Sequence, residues 1–170
     1  MEFVIQSAKK GTHTVYFDEE DLPIVKRYSW NLFRGRHGFY AQTTIRTNGK
    51  GKKTGLHVLI MKPPPGMQVD HRDGNTLNNR RDNLRLATPM QNAQNRRMGI
   101  ANTLGYKGIF VRDGKFGVQI IANKKSYTGG RFFDTIEEAA MRYNEMAILL
   151  HGEFARLNII PSQKTKNHDG

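Results

Sequence analysis

Asp70 and His71 are the residues of this chain best suited to chemistry. They follow a 48-residue stretch, Leu22 to Val69, that holds nine lysines and arginines and no carboxylate. A lone acid beside an imidazole in that basic field reads as the start of a metal site. The segment continues through Arg72-Asp73-Gly74-Asn75, Asn78-Asn79, Asn83-Leu84-Arg85 and Thr88-Pro89-Met90-Gln91-Asn92. One carboxylate, one imidazole and spaced carboxamides in a basic protein point to hydrolysis of a phosphodiester in nucleic acid.

That reaction requires a deprotonated water, stabilisation of charge on the phosphorus and help for the departing 3′ oxygen. His71 suits the general base, because an imidazole titrates near neutrality. Asp70 offers a hard oxygen to Mg²⁺ or Mn²⁺. Asn92 offers its carbonyl oxygen as a second ligand, one turn into a helix. Asn83 is placed to hold the loop after His71 and to orient the ring through a backbone carbonyl. Adjacent strand residues point to opposite sides, so Asp70 and His71 share a site only if the chain bends directly after Val69. The Arg72 to Asn75 turn is assigned that bend. His57, within Leu-His-Val-Leu-Ile-Met, reads as a core histidine. Asn75, Asn78 and Asn79 read as turn formers, and Asp73 as a brace for the loop.

The elements that must position these groups form an α+β pattern. Phe3-Val4-Ile5 and Thr14 to Phe17 read as strands around a Lys-Lys-Gly turn. Asp18 to Asp21 signals a helix over Leu22 to about Tyr28, with Pro23 in its first turn. Trp30 to Phe33 and Phe39 to Ile45 make a hairpin whose turn is Arg34 to Gly38, and Thr47 to Gly55 reads as a loop. A short helix, Leu56 to Met61, stops before Pro63-Pro64-Pro65. Strands through Gln68-Val69 and over Leu84 to Ala87 flank the polar loop, and Thr88-Pro89 opens a helix to about Met98. After a linker-like Met98 to Gly105, strands are expected at Lys107 to Val111, Phe116 to Ile121 and Ser126 to Phe133, the first two joined by Asp113-Gly114. Thr135 to Glu138 has capping-box spacing. Ile136, Ala139, Ala140, Tyr143, Met146, Ala147 and Leu150 then share a helical stripe that Gly152 ends. The tail over 161–170 is polar and reads as disordered.

The net charge of +12 and pI near 10.1 favour a polyanionic partner. Absence of cysteine excludes disulfides and thiolate zinc fingers. No apolar run reaches membrane-spanning length and no signal-peptide layout opens the chain, so a cytoplasmic protein with no membrane partner is expected. Charge is also segregated: residues 102–133 carry six basic residues against one acidic, and 134–156 carry five acidic against two basic.

Residues 56–95, with Leu56-His57, Asp70-His71, Asn78-Asn79, Asn83-Leu84-Arg85 and Thr88 to Asn92, closely resemble the HNH homing endonucleases built on a ββα-metal finger. The resemblance implies that His71 is the general base, that Asp70 and Asn92 bind the divalent ion, and that Asn83 orients the base. It also implies products with 5′-phosphate and 3′-hydroxyl ends. Asn at the last position is the variant of phage group I intron nicking enzymes, and a neutral amide oxygen favours magnesium or manganese over zinc. Further on, Gly105 to Ile109, Gly114-Lys115-Phe116, Phe132 to Ala140 and Gly152 to Asn158 resemble the APETALA-type (ethylene-response-factor) DNA-binding domain. That resemblance implies a three-stranded sheet in the major groove with a helix behind it. Phe116 stands where that family has tryptophan.

The sequence therefore reads as two modules: a nuclease over residues 1–100, with its finger at about 56–98, and a major-groove binder over 105–160. The expected function is a sequence-tolerant, site-specific endonuclease for double-stranded DNA, nicking one strand per site, as a monomer or a dimer assembled on DNA. Expected DNA contacts are Arg34, Arg36, Lys52, Lys53, Arg72, Arg85 and Arg96 in the first module. In the second they are Lys107, Arg112, Lys115, Phe116, Lys125, Tyr127 and Arg131. Two alternatives stay open: a non-catalytic DNA-binding regulator with a decayed finger, and a structural basic protein of RNA–protein assemblies.

Overall fold

The computed structural model describes residues 1–35, 38–94 and 103–161. The chain divides into two compact units, Met1–Arg97 and Met98–Gly170. Both are α+β with small antiparallel sheets.

In the first unit, β1 (Glu2–Ser7) and β2 (Gly11–Tyr16) form a hairpin. A 3-10 turn at Glu19–Asp21 leads into α1 (Leu22–Arg27), with Pro23 in the first turn, where a missing amide hydrogen costs nothing. The next sheet has the order β3 (Asn31–Gly35), β4 (Gly38–Thr47), β5 (Lys50–Gly55). The Gly/Lys-rich composition of Thr47 to Gly55 predicts a loop. The chain instead turns tightly at Asn48-Gly49, both with positive φ (51° and 75°), and pairs back along β4. Asn-Gly is a strong hairpin signal, hidden here by the polarity of the strand that follows it.

Helix α2 (Leu56–Met61) then precedes the finger: β6 (Gln68–His71), a loop, β7 (Leu84–Ala87) and α3 (Pro89–Gln94). The stretch expected to continue that helix to Met98 lies outside the described residues. One cluster of buried side chains runs from Ile5, Val15 and Phe17 through Leu32, Ala41, Leu56 and Ile60 to Val69 and Leu84. Full burial of such a side chain contributes roughly 1.5–3 kcal/mol, so the finger is fastened to the elements before it. Two backbone hydrogen bonds add to this: Tyr16 N–H donates to Leu77 O (2.9 Å) and Asn79 N–H to Tyr16 O (2.8 Å).

The second unit holds β8 (Ile109–Arg112), β9 (Lys115–Ala122) and β10 (Lys125–Thr128), in the order β10-β9-β8, and α4 (Ile136–His151). The third strand stops at Thr128, short of the expected Phe133, because Gly129 and Gly130 lead the chain out of the ladder; Phe133 returns only as a bridge to Phe116. Thr135 and Glu138 cap α4 reciprocally, and Ala139, Ala140, Tyr143, Met146 and Ala147 bury its inner stripe. The tail expected to be disordered falls, from residue 162 on, outside the described residues. Among the described residues no helix is long and apolar enough to cross a membrane.

Candidate active site

The finger is a regular two-stranded ladder in which Gln68 pairs with Ala87, Val69 with Leu86, Asp70 with Arg85 and His71 with Leu84. The bend therefore comes after His71, not after Val69 as the sequence suggested. Gly74 N–H donates to His71 O and Arg72 N–H to Asn83 O, both at 2.9 Å. By alternation, Gln68 and Asp70 share one face with Arg85, while Val69 and His71 share the other with Leu84. The strand does not bring Asp70 and His71 onto one face as expected, and what links them is charge, that of Asp70 reaching the His71 ring. Val69 and Leu84 belong to the core, which draws His71 into a buried position (4 % exposed).

Helix α3 is set by a reciprocal cap, Thr88 N–H to Gln91 Oε1 (2.8 Å) and Gln91 N–H to Thr88 Oγ1 (3.3 Å). One turn in, Asn92 Nδ2 donates to Gln68 Oε1 at 2.7 Å, which ties it to the strand face that carries Asp70. Its Oδ1 accepts nothing among the described residues. Asp70 is 6 % exposed, and its Oδ2 accepts from Arg85 Nε (2.8 Å) and Nη2 (2.7 Å). Arg85, expected at the DNA, is therefore 6 % exposed and turned inward to the acid.

His71 Nε2 lies 3.4 Å from Asn79 Oδ1. Asn79 is 1 % exposed, and its Nδ2 donates to Leu77 O (3.1 Å), which directs the amide oxygen at the ring. Nothing in the sequence separated Asn79 from its neighbour Asn78 except its place beside the segment that bonds to β2. Burial lowers the His71 pKa, against the raising effects of Asn79, Asp73 and Asp70, so the ring is neutral at neutral pH. Its ring neighbours are His57 (centroids 5.2 Å apart) and Tyr40 (6.2 Å). Burial and the nearby His71 push the His57 pKa down to about 3. Burial, with the charge of Asp70, raises that of Tyr40.

Asn83 is buried and works on the loop. Its Oδ1 accepts from Asp73 N–H (3.0 Å), and its Nδ2 donates to Asn78 O (2.7 Å). Asp73 braces the same loop through Asn75 N–H (2.6 Å) and Asn78 Nδ2 (2.9 Å). Burial opposes ionisation of Asp73, but these amide donors hold its carboxyl below the usual range. A second acidic group, Asp18, Glu20 and Asp21, brings carboxylate oxygens within 4.8 Å of one another. Arg81 fills it, pairing with Glu20 and Asp21 and donating its backbone N–H to Asp18, so this group anchors the loop instead of offering a vacant ligand set.

The expected DNA contacts separate by register. On β5, Lys53 opposes Thr44 and Gly51 opposes Arg46, on the face shared with Tyr40, Gln42 and Phe33. Lys52 opposes Ile45 on the other face, where Arg34 opposes Phe39 with its guanidinium 5.2 Å from that ring's centroid. Arg46, not singled out among the basic residues of this stretch, thus accompanies Lys53. Arg72 is exposed at the finger loop. Arg36 and Arg96 lie outside the described residues.

In the second unit, Arg112 and Lys115 pair on the sheet face opposite the helix, beside Phe110 and Gln119. Phe116 and Tyr127 turn inward and pack on the helix-side core. Lys125 opposes the buried Ala122 at the end of its strand, and Arg131 is exposed with its guanidinium 5.0 Å from the Phe133 centroid. Lys107 is half-buried, and burial together with Arg156 lowers its pKa to about 8.

Residues 62–94 match the family model described as HNH endonuclease. An uncharacterized HNH endonuclease of Acanthamoeba polyphaga mimivirus is 32% identical over 158 residues, covering 93% of this chain and 81% of that protein. Protein 3.8 of Escherichia phage T7 is 36% identical over 94 residues, 55% of this chain and 77% of its own length. No solved structure matches. The chain belongs to the HNH endonuclease family.

Proposed function

We propose that this protein is a homing-type endonuclease that hydrolyses one phosphodiester of double-stranded DNA per active site, within a long, mismatch-tolerant target. The observation that supports it best is the 2.7 Å contact from Asn92 to Gln68, which puts a helix amide and the Asp70 carboxylate on one face of the finger.

The donor set fits a hard divalent cation. It comprises one carboxylate and one amide oxygen that accepts nothing among the described residues, and Mg²⁺ or Mn²⁺ usually completes its shell with water and phosphate. Asp70 and Asn92 would hold the ion, which when bound supplies positive charge to the scissile phosphate and the departing 3′ oxygen. His71 takes the proton from the attacking water. With the Asn79 oxygen beside Nε2, that nitrogen carries the hydrogen and Nδ1 presents the lone pair. Arg85 aims Asp70, and Asn83 holds the loop that follows the base.

Lys53 and Arg46 would grip the backbone from the sheet face that carries Tyr40. The second unit, read as an APETALA-type domain, would dock its outer face, with Arg112 and Lys115, in the major groove. The enzyme acts as a monomer or as a dimer assembled on its DNA, in the cytoplasm of the cell that holds that DNA.

One observation favours a second reading, a DNA-binding regulator that does not cut: the Arg85 guanidinium already neutralises Asp70. Supercoiled plasmid bearing the candidate target, incubated with Mg²⁺, decides between them. Relaxed circles from wild type and none from His71→Ala establish the nuclease; binding without relaxation in both establishes the regulator.

A further inference from the structure

We infer that His57 and Tyr40 are positioning residues whose rings form a wall fixing the plane of the His71 imidazole, so that the N-terminal sheet builds part of the active site. The inference rests on the reading of His71 as the base.

Three rings run in series from the finger into the sheet. His57 meets His71 edge-on, with centroids 5.2 Å apart and planes at 64°; Tyr40 meets His57 at 5.5 Å and His71 at 6.2 Å. Both wall residues sit beside glycines that leave room for them. A Cβ at Gly55 would come within 2.5 Å of the His57 ring, and one at Gly35 within 2.8 Å of the Tyr40 ring. Gly55 has an ordinary φ of −78°, so its value lies in space, not in backbone freedom. Spacing that reads as a polar hairpin and a buried histidine thus clears a slot for two rings.

The His57 side chain makes no hydrogen bond among the described residues, and its ring meets the rings of Tyr40 and His71. A ring held this way can hold another ring but has no partner through which to pass a proton. The wall is therefore a matter of shape, and phenylalanine should serve in its place. Quadrupole interactions between such rings favour edge-on geometry, which sets an angle as well as a distance.

The test uses the full chain, supercoiled plasmid carrying the target mapped for wild type, and Mg²⁺. His57→Ala should lower kcat by roughly 10–100-fold, the usual effect of losing an outer support, with KM within about twofold. His57→Phe should recover most of that rate. Gly55→Ala, which displaces the His57 ring without removing it, should resemble His57→Ala while melting as a folded protein. Long-range ¹⁵N–¹H spectra, which do not depend on turnover, should show one His71 tautomer in wild type and His57→Phe and a mixture in His57→Ala. Unchanged kcat and a single tautomer in His57→Ala would overturn the inference, as would His57→Phe as slow as His57→Ala. If His71→Ala cuts like wild type, the base assignment fails; if it is inactive while His57→Ala keeps full rate, only the wall fails.

Discussion

Arg85 and Asp70 face each other directly across the finger ladder, and two guanidinium nitrogens converge on one carboxylate oxygen at 2.8 and 2.7 Å. Both side chains are almost wholly buried. Removing one member of such a pair strands a charge, at a cost of about 3–5 kcal/mol, whereas replacing both with apolar groups is often neutral. Arg85→Met should therefore destabilise the protein by that amount in urea unfolding, and Asp70→Leu with Arg85→Met should recover most of it. Full stability in the single variant would show that the pair contributes nothing to the fold.

Asn79 offers a handle on the base. Asn79→Asp places a carboxylate beside Nε2 of His71 and favours the imidazolium. The acid limb of the kcat/KM profile, which in wild type should lie below the usual histidine value because burial lowers it, should move up by about one pH unit or more. Activity should fall at neutral pH and return at higher pH.

Asn83 works one step further out. Asn83→Ala removes the acceptor for Asp73 N–H and the donor to Asn78 O, two part-buried hydrogen bonds that contribute about 0.5–1.5 kcal/mol each. Melting temperature and cutting rate should fall together, with the pH profile unmoved.

His57 makes the fold acid-labile. Its folded pKa of about 3 lies below the unfolded value of 6.5, so below pH 6.5 the unfolded chain binds a proton that the folded one refuses. The stabilisation is complete above pH 6.5 and is lost as pH falls towards 3, at up to about 1.4 kcal/mol per pH unit. His57→Phe should flatten that part of the stability curve, as followed by thermal melts across the range.

The register of β5 yields a prediction about DNA. Lys53→Ala and Arg46→Ala should each reduce the slope of log affinity against log salt by about 0.9, the value of one lost phosphate contact. Lys52→Ala and Arg34→Ala, on the opposite face, should leave the slope nearly unchanged. Equal slopes for all four variants would remove the assignment of the DNA-facing side.

Much of this was legible in the chain because local chemistry fixed it. Thr88-Pro89, Thr135 with Glu138, and Asp113-Gly114 each satisfy backbone groups or supply positive φ within a few residues. What could not be read depended on partners distant in sequence. The inward turn of Arg85 needs Asp70 opposite it, and the role of Asn79 needs its bond to Tyr16. The Lys50–Gly55 strand was masked by composition: it has no apolar residue to show alternation, and only its pairing with β4 makes it a strand. His57 reads as core by any local rule, and its ring neighbours arrive from two other elements.

The backbone bridge from Tyr16 to Leu77 and Asn79 bears on engineering. The segment that matches the family model starts at residue 62, yet the loop behind the base hangs from a strand that ends at Tyr16. A minimal cutter trimmed to the matching segment would lose that suspension, so grafts into programmable fusions should carry the chain from its first strand.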